Sequence, residues 1–416
     1  MSSSHDTTSL PPPLDLSGWR QAPAVLMAAG GLLSLAGALM FPQEFGPSWL
    51  LAFMFFLCLA LGALFLVMVH HLTDAGWSVA TRRVCEHLAA LLFPGLAILF
   101  VPIVIFGKDI YHWMNIADPH ANTSLNARLP VFTPAGFVVT SAVFFGIWWL
   151  LSSRLRCWSL KQDETGAALC TYRMRFYSGW GIVAFALTLT FSGVLWMQAV
   201  QYQWYSAVYG VYFFASCAWS TLALVYLLTV LLQRQRILDR VLHDSQFYFL
   251  GLLFFAFTVF QAYAEFAQYF VIWNANMPTE TFWYLVRENG SWWCVSMLLI
   301  FGHFLLPFFV LLPVKAKMNF KIMLPVGLWA LAMNFVDLSF NILPAHHPDG
   351  YPFRWLWLQI GCLAFMGGFL AWIFLKHFHR HAPFPQKDPR LLEAMGVRYL
   401  PPEAGPGTAP TPGESP

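Results

Sequence analysis

Residues 252–312 read LLFFAFTVFQAYAEFAQYFVIW (252–273), NANMPTETFWYLVRENG (274–290) and SWWCVSMLLIFGHFLLPFFVLL (291–312). Two apolar runs flank a polar hinge. At 1.5 Å per residue, each is long enough to cross a hydrocarbon core about 30 Å thick. Each also carries an ionisable side chain, Glu265 in the first run and His303 near the middle of the second. A charged side chain at the bilayer centre costs at least about 2.5–3.5 kcal/mol, so such residues face a bundle interior or a water-filled path. Glu265 and His303 are therefore the first candidate functional residues.

Similar apolar windows recur along the rest of the chain. Ten are expected to span a membrane, at about 24–41, 49–70, 87–106, 134–152, 176–198, 205–232, 246–273, 291–313, 321–341 and 355–377. The 416 residues are 58% hydrophobic and 10% charged, whereas a soluble domain carries about 25% charged residues. The expected class is an all-α polytopic membrane protein with ten transmembrane helices in one domain, 24–377. The N-terminal SSSHDTTSLPPPLDLSGWR lacks a basic n-region and a small-residue cleavage site, so no removable signal peptide is expected. Residues 1–23 are read as a cytoplasmic segment, and the Pro/Gly-rich residues 378–416 as a disordered cytoplasmic tail.

Of the 23 Lys and Arg, all but Lys108, Arg128, Arg287 and Arg354 fall at the two ends or in alternate loops. The positive-inside rule then puts both termini in the cytoplasm. The net charge of +3 reports on topology and gives no hint of nucleic acid; the expected surroundings are lipid. Seven cysteines, at 58, 85, 157, 170, 217, 294 and 362, form no C-x-x-C and no Cys/His pair at zinc spacing, so no metal is expected.

Several segments admit two readings. GGLLSLAG in the first helix presents Gly30, Ser34 and Gly37/Ala38 for close helix packing. HHLTDAGWSVATRRVCEH gathers His70, His71, Asp74, Glu86 and His87 with Arg82 and Arg83. It is either a solvated headgroup-level loop or the cytoplasmic mouth of a proton path, since His and carboxylates exchange protons near neutral pH. GKDIYHWMN places Asp109 at the external surface and begins the long connection 107–133, of a length associated with docking or function. The corner QYQWYSAVYGVYFF could stack on a quinone ring or sit in the lipid interface. Pro278 starts a short external helix with Phe282, Trp283, Leu285 and Val286 on one side. The ninth helix carries Asn334 and Asp337 near its external end, and His346 and His347 after it are expected to be exposed.

With His303 alone deep in a span, paired haem ligation is not expected, and no phosphate loop, dinucleotide fingerprint or metalloprotease motif appears in a suitable context. What remains is protons, quinone or a transported solute. By depth, Asp337, Glu265 and Asp109 lie towards the external face, His303 near the middle, and His70, His71, Asp74, Glu86 and His87 at the cytoplasmic face. Two half-channels meeting at a central histidine would have this order. Waters or hydroxyls such as Ser296, Thr258 and Tyr263 would have to bridge roughly 15–20 Å at the inner side.

The segments HHLTDAGWSVATRRVCEH, QWYSAVYGVYFFAS, LHDSQFYFLGLLFFAFTVFQAYAEFAQYFVIWNANMPTETFWY, GSWWCVSMLLIFGHFLLPF and NFVDLSFNILP resemble the second large membrane subunit of bacterial alternative complex III. That subunit belongs to the polysulphide-reductase membrane-subunit (NrfD-like) family. The resemblance implies two four-helix bundles, helices two to five and six to nine, flanked by helices one and ten. It implies a quinol:cytochrome c or electron-acceptor oxidoreductase, with a sister NrfD-like subunit, an external iron-sulphur subunit, c-type cytochrome subunits carrying c-haems, and a terminal oxidase as partners. Quinol oxidation is assigned to the sister subunit, and a proton-conducting or supporting role to this type. His303 and Asp337 fall on motif positions. The expected function is thus a non-catalytic, cofactor-free subunit with a proton path and a possible quinone contact; the alternatives are a structural scaffold and a stand-alone secondary transporter. The transporter would show Gly/Pro breaks in matching halves, and Pro307 has no counterpart in helix four.

Overall fold

The computed structural model describes Trp19, residues 21–235, Leu238 and residues 242–391. Among the described residues, ten helices are long and apolar enough to cross a membrane: α1 (Gln21–Met40), α2 (Pro42–Leu72), α3 (Gly76–Ile105), α4 (Pro134–Thr165), α5 (Ala168–Gln201), α6 (Tyr209–Arg234), α7 (Asp244–Ala275), α8 (Trp292–Leu311), α9 (Phe320–Ala345) and α10 (Phe353–Arg380). No strand occurs among the described residues, and the chain is a helical multi-pass membrane protein. Residues 1–18 and 392–416, most of the two terminal segments read from the sequence, lie outside the described residues.

The helices overrun the apolar windows wherever charged helix-formers follow. Hydropathy stops near Arg154, yet α4 continues to Thr165, because Arg, Lys, Gln and Glu sustain a helix as well as Leu does. Gly166 then takes φ +64° and its N–H bonds the Gln162 carbonyl at 2.8 Å. Glycine enters this left-handed conformation without a Cβ clash, and α5 restarts at Ala168. The loop expected over 153–175 is therefore a tight turn. The loop expected over 71–86 shrinks likewise to Thr73–Ala75, with Asp74 at φ 54°, a conformation that Asp tolerates. The 107–133 connection is a set of short helical turns docked on the end of α5. Tyr111 donates to the Trp196 carbonyl at 2.9 Å, and Arg128 Nη1 to that of Tyr202 at 2.7 Å.

α2 and α6 are buried on all sides, 83% and 78% of their apolar windows being inside, against 22% for α1. They pack on each other; α2 also contacts α3, α5, α9 and α10, and α6 contacts α7 and α9. α4 lies on α5, α7 on α8, and α1 runs antiparallel along α10, Gly30 and Gly368 closing on backbone of the facing helix. Hence the start of α1 and the end of α10 share one face, here the basic face.

Lipid tails are as apolar as leucine, so helices in a bilayer are held by close packing and interhelical hydrogen bonds. At the α2/α6 crossing Gly62 lets the Cys217 carbonyl and Thr221 hydroxyl into the space a Cβ would fill, and Thr221 Oγ1 donates to the Leu59 carbonyl at 3.0 Å. Gly62→Ala is expected to cost about 1–3 kcal/mol through overpacking. Gly146→Ala, where nothing lies within 4 Å of the added methyl, should be neutral or stabilising by up to ~1 kcal/mol. Thermal unfolding in detergent distinguishes the two.

Candidate functional site

The interior beside α2–α5 is aromatic, and its two central indoles are both hydrogen-bonded. Trp196 packs against Phe53, Phe100, Phe145 and Trp148, at centroid distances of 5.8, 4.8, 5.6 and 5.8 Å. Its indole N–H donates to Ser141 Oγ, and that of Trp148 to Thr188 Oγ1, both at 2.9 Å. The interior of α6–α9 is polar instead, towards the face opposite the basic one.

His303 owes its position to a change of winding in α8, which runs as a π-helix from Leu299 to Leu305. Pro307 has no N–H to offer the Gly302 carbonyl in that register, and the Trp329 indole supplies one at 2.8 Å. Gly302 and His303 face inward while Phe301 is 60% exposed. His303 Nδ1 lies 3.4 Å from Glu265 Oε1, which also accepts from Gln261 Nε2 at 3.1 Å. The imidazole meets the Trp219 ring edge-on at 4.2 Å, and the Trp219 N–H donates to Thr258 Oγ1 at 2.8 Å. His303 is 3% exposed and the Glu265 side chain 28%, so the carboxylate stands at the α7/α8 seam with the imidazole behind it.

Asn334, Asp337 and Asn341 recur at helical spacing on the buried face of α9. Asp337 Oδ1 accepts from the Tyr212 hydroxyl and from Asn341 Nδ2, which also donates to Tyr212 at 2.5 Å. Tyr209 donates to Asn341 Oδ1 at 3.1 Å, and Ser216 to Asn334 Oδ1 at 2.8 Å. Asp337 is close enough to Glu265 and His303 for their charges to interact. Above this group sits Arg287, 1% exposed and unpaired with any carboxylate among the described residues. It donates to the carbonyls of Phe340, Trp283 and Asn341 and to Gln201 Oε1, at 2.8–3.1 Å, and lies 3.4 Å over the Trp283 ring. Burial draws its pKa down to about 9, which leaves it charged at neutral pH.

A second polar group fills the basic face. Glu86 Oε1 forms an ion pair with Arg82 Nε at 3.1 Å, and its Oε2 accepts from Arg83 Nη1 at 2.8 Å; Arg83 also pairs with Asp163, and Arg82 with Asp388. Arg82, Arg83, Glu86, His70, His71 and His87 are all at most 3% exposed, which overturns the solvated-loop reading. An amphipathic helix turned inward puts these residues among partners, where the hydropathy profile registers only their charge. His70 sits between Arg82 Nη1, 3.1 Å from Nε2, and Ser78 Oγ, 2.5 Å from Nδ1. His71 and His87 are enclosed without a hydrogen-bond partner, His87 between Phe374, Phe378 and the parallel rings of His377 and His381. At the rim, Asp74 accepts from Arg175 at 2.6 Å and from Arg390 at 2.7 Å. The Arg175 hydrogen bond, reinforced by Arg390, holds its carboxyl below the ordinary range. Burial works to raise Asp388, but Arg390 and Arg82 outweigh it and hold it at about 2.

A cavity of about 40 Å³ borders this group, with His70, Ser78 and Arg82 on one side and Leu222, Val225 and Leu250 on the other. That is room for one or two waters. Of the nine sequence candidates, Glu265, His303 and Asp337 form one group and His70, His71, Asp74, Glu86 and His87 belong to the other. Asp109 joins neither; it is half-buried beside Gly46. The proposed bridging hydroxyls do not bridge. Thr258 is engaged by Trp219, Ser296 bonds the Arg287 and Trp292 carbonyls, and Tyr263 is 64% exposed. Tyr212, Tyr209, Asn341 and Arg287 are not among those nine, although both tyrosines lie in the aromatic corner QYQWYSAVYGVYFF and Asn341 stands one turn beyond Asp337. The short helix Pro278–Arg287 forms as expected, but buries Thr281, Trp283, Tyr284 and Arg287 and leaves Leu285 outside.

His346 and His347, expected to be exposed, are half-buried; His347 Nε2 reaches Glu44 at 2.9 Å. Burial, with His112 and His347 nearby, draws the His346 imidazole down to about 3. The unfolded chain binds this proton below about pH 6.5 and the native state does not, so native stability falls as pH drops from there towards 3. His346→Gln is expected to flatten the loss of melting temperature between about pH 7.5 and 5. Glu86→Gln, which leaves two buried guanidiniums short of a carboxylate, should cost about 3–5 kcal/mol, read by the same melts at neutral pH. Compared with known proteins, the chain matches no family model and no curated protein.

Proposed function

We propose that this chain is a cofactor-free membrane subunit of a quinol:electron-acceptor (cytochrome c) oxidoreductase in the bacterial inner membrane, and that it contributes a transmembrane proton path. The observation that carries this reading is the Glu265, His303 and Asp337 group, which brings titratable side chains from α7, α8 and α9 together inside an apolar bundle. Both termini are cytoplasmic in this reading, so the basic face is the cytoplasmic face. Partner subunits are a sister membrane protein, an external iron-sulphur protein and c-type cytochromes, with a terminal oxidase downstream. The helix pairing supports an arrangement of two four-helix bundles, α2–α5 and α6–α9, joined through α2 and α6 with α1 and α10 alongside.

The residues suit the role in a definite way. Glu265 is the partly exposed member and takes or gives protons at the seam, His303 passes them inward, and Asp337 with Tyr212 and Asn341 forms a polar acceptor set on α9. His303 Nε2 and Asp337 Oδ2 are buried without a protein partner, which leaves each with unused proton-binding capacity. Quinone contact is a further part of the proposal, with no place assigned to it: Trp204 and Trp283 of the aromatic corner are buried and stack on each other at 4.5 Å, and Arg287 covers the Trp283 ring. The scaffold reading is favoured by one specific feature, the fixing of Asp337 Oδ1 by Tyr212 and Asn341.

The deciding experiment measures protons moved per electron in the assembled complex. His303→Ala and Asp337→Asn are each expected to lower that ratio while quinol oxidation continues. An unchanged ratio in both variants would leave the scaffold standing.

A further inference from the structure

We propose that residues 384–391 form a latch that closes the basic-face mouth of the bundle and clamps Arg82 on His70. α10 ends at Arg380, and residues 381–390, expected to be disordered, return across the ends of α3 and α4 without forming a helix. Two short polar contacts fasten them to α4: the Gln386 N–H donates to Asp163 Oδ1 at 3.0 Å, and Lys387 Nζ to the Glu164 carbonyl at 2.6 Å. Asp388 is inserted beneath, 4% exposed, and accepts from Arg82 and from Arg390 Nε at 2.9 Å; Arg390 Nη1 reaches out to Asp74. Among the described residues, the segment's one backbone–backbone hydrogen bond is internal, from Leu391 to Asp388. Side chains therefore hold it in place, and it can lift as a unit.

What the closed latch does follows from the chemistry of arginine. A guanidinium has donors only, so the nitrogen of His70 that faces Arg82 Nη1 must be an acceptor, and the other ring nitrogen is occupied by Ser78. While Asp388 draws the same Nη1 into place, His70 has no free site for a proton. Opening removes that carboxylate and frees Nη1 to leave His70, while Nε stays paired with Glu86 and Nη2 with Ser159. Within the ion-pair network the exchange is neutral, while Lys387, which bonds the Glu164 carbonyl, leaves with the segment as a further positive charge. Closed, Arg82, Arg83, Arg175 and Arg390 face Asp74, Glu86, Asp163 and Asp388; opening withdraws one of each sign. Asp388 is thus a positioning residue acting through Arg82. The latch stands on geometry alone, whereas its effect on proton traffic rests on the function proposed above.

The structure offers a way to lock it. A Cβ on Gly166 would lie 3.8 Å from Lys387 Cβ, and disulfides have Cβ separations of about 3.8 Å; the strain of a side chain at φ +64° is common to the oxidised and reduced forms, so only their difference is read. The full chain in its complex, carrying Gly166→Cys and Lys387→Cys, is oxidised with diamide or kept reduced, and Cys85 alkylation by a maleimide is followed by peptide mass spectrometry. Cys85 lines the cavity beside His70 and Arg82, and exposed Cys157 serves as internal control. Oxidation should slow Cys85 alkylation and reduction should restore it. Asp388→Asn should speed it by roughly tenfold for each ~1.4 kcal/mol of latch stability removed, and Asp388→Glu should return it towards wild type. Cys85 rates that ignore both the crosslink and Asp388→Asn would overturn the latch even if His303→Ala lowers the proton ratio. A responsive Cys85 with a proton ratio unaffected by His303→Ala and Asp337→Asn would instead remove the proton path and leave the latch.

Discussion

A charge inside a low-dielectric interior must be met by opposite charge or by dipoles, because leaving water costs several kcal/mol per ion. Eight charged side chains at the basic face satisfy this requirement by alternation: Arg82, Arg83 and Arg390 each reach two carboxylates, while Arg175 pairs with Asp74 at the exposed rim. Arg82 and Arg83 are neighbours on one helix and would repel without Glu86 between them. The planar fork of arginine makes such bridging possible where the point charge of lysine would not. Arg287 solves the same problem differently, using four carbonyl-type oxygens and the faces of Trp283 and Phe340 in place of a carboxylate. The carbonyls of Phe340 and Asn341 lie at the C-terminal end of α9, where the helix dipole is negative. The cation thereby fixes the stretch of α9 from which Asn341 reaches Asp337.

Between the two charged ends the central contact is the tight crossing of α2 and α6. α6 turns its polar side chains Tyr209, Tyr212 and Ser216 towards α9, and where it meets α2 two greasy surfaces in lipid have no reason to prefer one another. Gly62 permits the backbones to meet and the Thr221 hydroxyl ties them. On one side of this pair the space is filled by interlocked Phe and Trp rings; on the other, by Glu265, His303, Asp337 and their hydrogen-bonding partners. The two halves thus differ in dielectric character although both are built from antiparallel apolar helices.

The spans were legible because a membrane helix needs an uninterrupted apolar window, and that requirement is written locally. Their ends were not. Hydropathy marks where the bilayer window stops, while the helix continues through Arg, Lys and Gln to Thr165 or resumes at Val79 with charges turned inward. The nine candidates were recognised as ionisable residues out of place, which is a local property. Their sorting into two groups depends on which helix faces meet, and no spacing along one segment reveals that. Asn341 and Tyr212 carry no charge and so raised no alarm, though Asn334, Asp337 and Asn341 share a face by simple periodicity. Asp388 lies in a Pro-rich stretch whose composition reads as disorder; its burial is decided by Arg82, some 300 residues earlier.

Polar groups at both faces do not make a continuous wire. Leu222, Val225, Leu250 and Leu253 bound the cavity on the side away from His70, and Trp219, stacked on Phe254 at 5.7 Å, stands beside His303. A proton crosses such a layer only when side chains move or water enters. For a redox-coupled proton path this is a requirement, since an open column would dissipate the gradient. The π-wound stretch of α8 supplies a place for movement: around Gly302 and Pro307 one carbonyl is held by a side chain from α9 in place of the helix's own backbone. Returning a π-turn to α-helical winding rotates the residues beyond it by about 100°, enough to carry His303 from the Glu265 side of its pocket towards another. His303, whose Nε2 has no protein partner, thus sits in the π-wound segment of α8, within the polar group away from the basic face.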